Sequence, residues 1–205
     1  MSLKKAAIII IVILLIDQIS KIYIKTHFQL NENFRVFDWF YIDFIENDGM
    51  AWGTKLSDVF TSISDKSAKL ILTLFRIIAV TGIAFWLINV TKNKKSKILV
   101  FAIAIIFAGA LGNILDSVFY GVLFNDSVFE VAKFLPEDGG YADLFHGKVV
   151  DMLHFPIWSG VLPDSIPLIG GKHFSFFDPV FNVADIAIST GIGILIVFNK
   201  RAFKE

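Results

Sequence analysis

Six polar residues interrupt long apolar runs of this 205-residue chain, in three pairs that share a helical spacing. Asp17 and Lys21 are four apart, Asn113 and Asp116 three apart, and Asn182 and Asp185 three apart, so each pair falls on one helix face. Arg76 is a further intrusion. Charge inside a membrane span is costly and defaults to a functional reading. The set holds carboxylates, amides and one or two cations. The chain has no cysteine, which removes thiol catalysis, disulfides and cysteine-based zinc sites. No His-Glu-x-x-His spacing occurs and His146, His154 and His173 lie outside the runs, so no metal site is expected, and no serine–histidine pair stands out. What remains is paired-carboxylate chemistry. Two aspartates sharing a proton do not both ionise, so one serves as base and the other as acid, and together they activate water against an amide carbonyl.

Plainer readings stand beside this one. Asp17 and Lys21 could be an ion pair that locks one helix. Asn113 could be interhelical glue worth about 0.6 kcal/mol, and Gly109 and Gly112 could simply allow close packing. Arg76 could snorkel its guanidinium to headgroups. The plain reading is weakest for Asp185, because a carboxylate facing protein in lipid needs a partner.

The elements that must position these residues are membrane helices. The chain is 55% hydrophobic, above the 45–50% usual for soluble domains, and its mean hydropathy is +0.67. Four runs approach the roughly 20 residues that cross a bilayer: Ala6–Ile24, Leu70–Val90, Ile98–Phe119 and Val180–Phe198. Lys4 and Lys5 precede the first, but no small-x-small cleavage site follows it, so it reads as a retained helix rather than a signal peptide. Lysine clusters at Lys4–Lys5, Lys92–Lys97 and Lys200–Lys204 fall on one side of a four-span topology, which puts both termini in the cytoplasm. The connections Lys25–Lys69 and Tyr120–Pro179 are then extracytoplasmic. Trp39–Ile45 and Val149–Phe155 read as strands of a small outer sheet, Glu46–Gly49 as a turn, and Pro163–Gly171 as a loop. The fold class is a mainly α membrane protein with four transmembrane helices, a small extracytoplasmic β-sheet and a single domain.

This topology gives the polar pairs a common depth. Asp17 lies about 16 Å above Ala6 at 1.5 Å per residue, beyond the midplane. Asn113 and Asp116 close an outward helix, Asn182 and Asp185 open an inward one, and Arg76 lies near the outer end of its span. All therefore belong to the outer leaflet and form one site. A transporter would place such groups nearer the midplane, in repeated halves, and no repeat is visible. A non-enzymatic scaffold is the other alternative. The net charge of +0 argues against nucleic-acid binding.

Five blocks, in order, resemble the lipoprotein signal peptidases (type II signal peptidases). They are Asp17-Gln18-Ile19-Ser20-Lys21, Asn47-Asp48-Gly49-Met50-Ala51-Trp52-Gly53, Gly112-Asn113-Ile114-Leu115-Asp116, Gly147-Lys148-Val149-Val150-Asp151 and Phe181-Asn182-Val183-Ala184-Asp185. The resemblance implies an aspartyl endopeptidase of the bacterial inner membrane whose catalytic pair is Asp151 and Asp185. Its substrate would be a prolipoprotein carrying diacylglyceryl on its cysteine, cut just before that residue. Asn47, Asn113 and Asn182 would position substrate or dyad; Asp17, Lys21, Gly49, Asp116 and Ala184 would support the site. The resemblance implies no metal or organic cofactor, membrane lipids as surroundings, and a monomer. Two departures stand out. The family has arginine where this chain has Ser117, and Arg76 is a candidate to replace that charge beside Asp116 or Asp17. An apparent insertion, Gly121–His146, offers a lid or partner surface and a rival aspartate, Asp126; Asp151 is preferred because it has the family's Gly+4 spacing.

Overall fold

The computed structural model describes residues 1–48, 63–167, 169–176 and 178–204. Four long helices start where a side-chain oxygen satisfies an otherwise unpaired backbone N–H. They are α1 (Leu3–His27, capped by Ser2), α2 (Asp65–Lys92, capped by Ser64), α3 (Lys97–Leu115, capped by Ser96) and α4 (Val183–Val197, capped by Asn182). Helix α3 is the hub. It packs against α1, α2 and α4, and Val100, Ala102, Ile103, Ala104 and Ala108 on it are fully or almost fully buried. The outer faces of α1 and α2 instead expose Ile8, Ile11, Leu15, Ile19, Phe75, Ile78 and Phe85. Apolar stripes of that extent are the surface that lipid covers.

Lipid gives helices no hydrophobic reason to associate, so close backbone approach between small residues must supply it. At Gly109 of α3 an added Cβ would stand 2.2 Å from the Ala184 carbonyl oxygen of α4, and at Gly191 of α4 it would stand 2.8 Å from that of Ala102. The contact at Gly109 matters for function because it places the first turn of α4.

The chain is a membrane protein with three to four apolar helices and a small antiparallel sheet. Among the described residues three helical stretches, Leu3–His27, Asp65–Lys92 and Lys97–Leu123, are long and apolar enough to cross a bilayer. The apolar helix Val183–Val197 is shorter, because Val180–Phe181, expected within the fourth run, forms a strand instead. Past Leu115 the third stretch widens into a π-helical turn, Asp116–Tyr120, before a last turn at Gly121–Leu123. Such insertions are frequent at functional sites.

The main sheet runs in the order β1–β2–β3–β6, all neighbours antiparallel. Its strands are β1 (Asn33–Phe37), β2 (Phe40–Asn47), β3 (Val149–His154) and β6 (Val180–Phe181). A separate hairpin pairs β4 (Trp158–Val161) with β5 (His173–Phe176), with Pro163–Gly171 in the connection between them. Two boundaries differ from the expectation. Glu46 and Asn47 are not a turn: they extend β2, opposite Val150 and Val149. Lys25 is not the start of a loop but a fully buried residue of α1.

The insertion is neither a free lid nor an exposed partner surface over its whole length. Phe124 and Ala132 are buried with Ile24, Phe44, Tyr120, Val150 and Met152, so it buttresses the back of β2 and β3.

Candidate active site

The register of the sheet brings two distant aspartates to one point. Strand β3 carries Asp151 opposite Ile45 of β2, while β6 pairs with the far end of β3 and runs directly into Asn182, the N-cap of α4. Asn182 and Asp185 form a reciprocal capping box: the Asp185 N–H donates to Asn182 Oδ1 (3.0 Å), and the Asn182 N–H donates to Asp185 Oδ2 (3.2 Å). The side-chain amide of Asn182 donates in turn to Asp151 Oδ1 at 2.7 Å. One fully buried asparagine therefore fixes both carboxylates.

Two further amides complete the frame. Asn47 Nδ2 donates to Asp151 Oδ2 (3.1 Å), and Asn113 Nδ2 donates to Asp185 Oδ1 (2.9 Å). Asn113 Oδ1 accepts from Asn182 and from Lys21 Nζ, which sets its amide orientation. Behind it, Lys21 Nζ stands 3.0 Å from Asp17 Oδ2 and 2.8 Å from Asp116 Oδ2, all three residues being almost completely buried. Asp17 Oδ1 accepts the Ala184 N–H (2.9 Å), and Asp116 Oδ2 accepts the Val150 N–H (3.4 Å). The ion triad thus holds the first turn of α4 and the strand residue before Asp151.

The two aspartates have different surroundings. Asp185 lies at a helix N-terminus, where the backbone dipole favours negative charge, and accepts donors on both oxygens. Asp151 is 4% exposed. Burial and then the charge of Asp185 push its carboxyl up to about 7, against the opposing hydrogen bonds from Asn47 and Asn182. A buried carboxyl raised in this way can hold its proton near neutral pH. A cavity of about 420 Å³, lined by Ile45, Asn47, Asp48, Asp151, Asp178 and Val180, opens on Asp151. Among the described residues no cluster of three or more histidines and carboxylates is arranged to hold a metal ion. His154 is instead flanked by Asp43 and Asp178, at 2.8 and 2.6 Å.

A profile of the family described as signal peptidase (SPase) II matches residues 9–200. The chain belongs to the signal peptidase II family. Its relatives include the lipoprotein signal peptidase of Porphyromonas gingivalis, 43% identical over 200 residues that cover 97% of this chain and 84% of that protein. The lipoprotein signal peptidase of Amoebophilus asiaticus is 34% identical, over 91% of this chain and 73% of the other. Two bacterial membrane enzymes solved by the in meso method share the fold at TM-score 0.59. They are 23% and 22% identical to this chain, with 99% of it covered and 93% and 95% of theirs. The chain is therefore a protease that removes signal peptides from prolipoproteins, and the transporter and scaffold alternatives fall.

Within that family frame, Asp17, Lys21, Asn47, Asn113, Asp116, Asp151, Asn182, Ala184 and Asp185 all join one connected cluster. Gly49 lies outside the described residues. Asp126 does not join it: its Oδ1 accepts the Val128 N–H in an exposed turn. Lys21 serves both Asp17 and Asp116, and the carboxylates whose charges bear most on Arg76 are Asp185 and Asp151. Ser117, fully buried, donates to the Asn113 carbonyl (3.0 Å).

Two supporting groups were missed. Gln18 Nε2 reaches Asp116 Oδ1 (2.9 Å) and the Gly112 carbonyl (3.3 Å), tying α1 to α3; its place inside an apolar run was the available signal. Lys25 pairs with Glu46 and Ser127 and lies over the Tyr141 ring (4.9 Å), while Lys148 reaches the other oxygen of Glu46 (3.2 Å). Burial penalises the Glu46 charge, but the two lysines outweigh that penalty and hold its carboxyl below its ordinary range. Lys25 continues the Lys21 face by four residues, which was its signal.

Proposed function

We propose that Asp151 and Asp185 are the catalytic pair of an aspartyl endopeptidase that cuts diacylglyceryl-modified prolipoproteins just before the lipidated cysteine. The observation that carries this reading is the bridge through Asn182, which binds both aspartates while burial and the charge of Asp185 raise the Asp151 carboxyl. The Asp185 carboxylate takes a proton from water as the water oxygen attacks the scissile carbonyl carbon. The protonated Asp151 carboxyl donates to the carbonyl oxygen. Collapse of the tetrahedral intermediate breaks the C–N bond as the proton held by Asp185 passes to the departing cysteine amine and one hydroxyl proton returns to Asp151, which restores the starting pair. Asn47 and Asn113 hold the carboxylates in register. Asp17, Lys21 and Asp116 fix the backbone on either side, and no metal or organic cofactor takes part.

The same reading makes the chain a monomer with four spans in the bacterial inner membrane. Its termini and lysine-rich link face the cytoplasm, and the sheet and catalytic pair face the opposite side. The depth shared by the polar pairs supports this orientation, as do the lysine clusters. The test uses the purified protein with one precursor prepared with and without diacylglyceryl. Mass spectrometry should find a signal peptide ending immediately before the cysteine, released from the lipidated precursor alone. Equal cleavage of the unlipidated form, or a cut elsewhere, contradicts the reading.

A further inference from the structure

Between Leu70 and Thr91, Arg76 is the only charged residue of α2. Lys69, Thr73, Arg76 and Val80 follow at spacings of four, three and four, so they share one helix face. Three of them fix where that face points. Lys69 Nζ donates to the Asp48 carbonyl (2.6 Å), at the end of the strand that carries Asn47. Thr73, 1% exposed, donates to the Phe145 carbonyl (3.0 Å). Val80 packs against Ile114 and Val118, and Ile114 follows Asn113, whose amide holds Asp185. Arg76 sits between Thr73 and Val80 on this face, half-buried, and the carboxylates whose charges bear most on it are Asp185 and then Asp151.

The charges at this depth explain why a second cation belongs there. Asp17, Asp116, Asp151 and Asp185 meet in one cluster. An ammonium has three donors, and Lys21 directs its own to Asp17, Asp116 and Asn113. The hydrogen bonds described above bring the aspartate pair amide donors, which orient a carboxylate but supply no net charge.

We propose that Arg76 is the counter-cation of the Asp151–Asp185 pair, keeping one carboxyl ionised at neutral pH and so setting the pH window in which the pair holds one base and one acid. This rests on the dyad reading above. Arg76 is a positioning residue, since it acts through the aspartates. The other titratable or charged groups around the pair are Asp17 and Lys21 of α1, Lys69 of α2, Asp116 after α3, and Glu46 and Asp48 at the end of β2. Lys148 precedes β3, His154 ends it, and Asp178 precedes β6. None of them is altered by the test.

The test is the pH profile of kcat/KM for lipidated precursor, measured on the full protein as wild type, Arg76→Lys, Arg76→Gln and Arg76→Met. Removing a cation favours protonated carboxyls, so both limbs of the profile should move to higher pH in Arg76→Gln, by about 1–3 units. Arg76→Lys should keep the wild-type limbs. Arg76→Met suits a lipid-facing helix, and it carries the same expected shift where the glutamine variant does not fold. Neutral variants whose limbs superimpose on those of wild type overturn the proposal, whatever their amplitude. Failure of the dyad reading looks different: Asp151→Asn or Asp185→Asn would then stay active.

Discussion

Asp151→Asn should make the protein more stable at alkaline pH while silencing it. Burial, and then Asp185, raise the Asp151 carboxyl from 3.8 to about 7. A raised acid favours the fold only while protonated. Its contribution is therefore fully present below about pH 3.8 and is lost as pH rises through about 7. A shift of about 3 units at about 1.4 kcal/mol per unit makes the full loss about 4 kcal/mol. Asparagine does not titrate, so it escapes that loss, but it has one acceptor oxygen where the carboxylate has two. Asn47 and Asn182 both donate to Asp151, and one of them would face an amide NH2, at about 1 kcal/mol. The variant should thus be less stable than wild type by about 1 kcal/mol below pH 4 and more stable by about 3 kcal/mol at pH 8. Unfolding in detergent micelles across this range reads the difference directly, because every other group titrates in both proteins. A difference that stays constant from pH 4 to pH 8 would refute the burial argument for Asp151.

Other parts of the account are open to simpler tests. Lys21→Met strands two buried carboxylates and should cost about 3–5 kcal/mol of stability, part of which returns when Asp17→Asn and Asp116→Asn are added. Gly109→Ala drives a methyl into the Ala184 carbonyl, one residue from Asp185, and should cut cleavage about 100-fold, whereas Gly82→Ala, with nothing within 4 Å, should leave it unchanged; equal rates would contradict the backbone contact. Reporter fusions at Lys94 and after residue 204 should behave as cytoplasmic and one within Pro163–Gly171 as extracytoplasmic; a cytoplasmic signal from the last would overturn the four-span orientation.

The polar pairs were legible because lipid makes each of them expensive, so Asp17, Asn113 and Asp185 stand out at helical spacing without any structure. Their partners were not. Asp116 and Arg76 lie at similar depth in sequence, yet depth carries no azimuth, and the cation beside Asp116 is Lys21 of α1. Strand β6 was hidden inside an apolar run because Val180 and Phe181 suit a strand or a helix equally; Asn182 and Asp185, three apart, were the capping signal that divides them. Lys25 read as a loop residue since a lysine past the end of a span normally meets water. Its burial depends on Glu46, Ser127 and Tyr141, which only the tertiary fold brings together. The insertion gave no periodicity to follow, and its two buried anchors, Phe124 and Ala132, become recognisable only against Phe44 and Met152.

The central claim is that Asp151 and Asp185 together carry the reaction. The direct measurement is cleavage of a diacylglyceryl-modified precursor by purified Asp151→Asn, Asp185→Asn and Asp126→Asn proteins, each first shown to be folded in detergent. Loss of acid–base catalysis should lower the rate by about 10²–10⁴-fold or more in the first two, with Asp126→Asn close to wild type. Near-wild-type cleavage by either of the first two variants, or loss of cleavage in Asp126→Asn alone, would contradict the assignment.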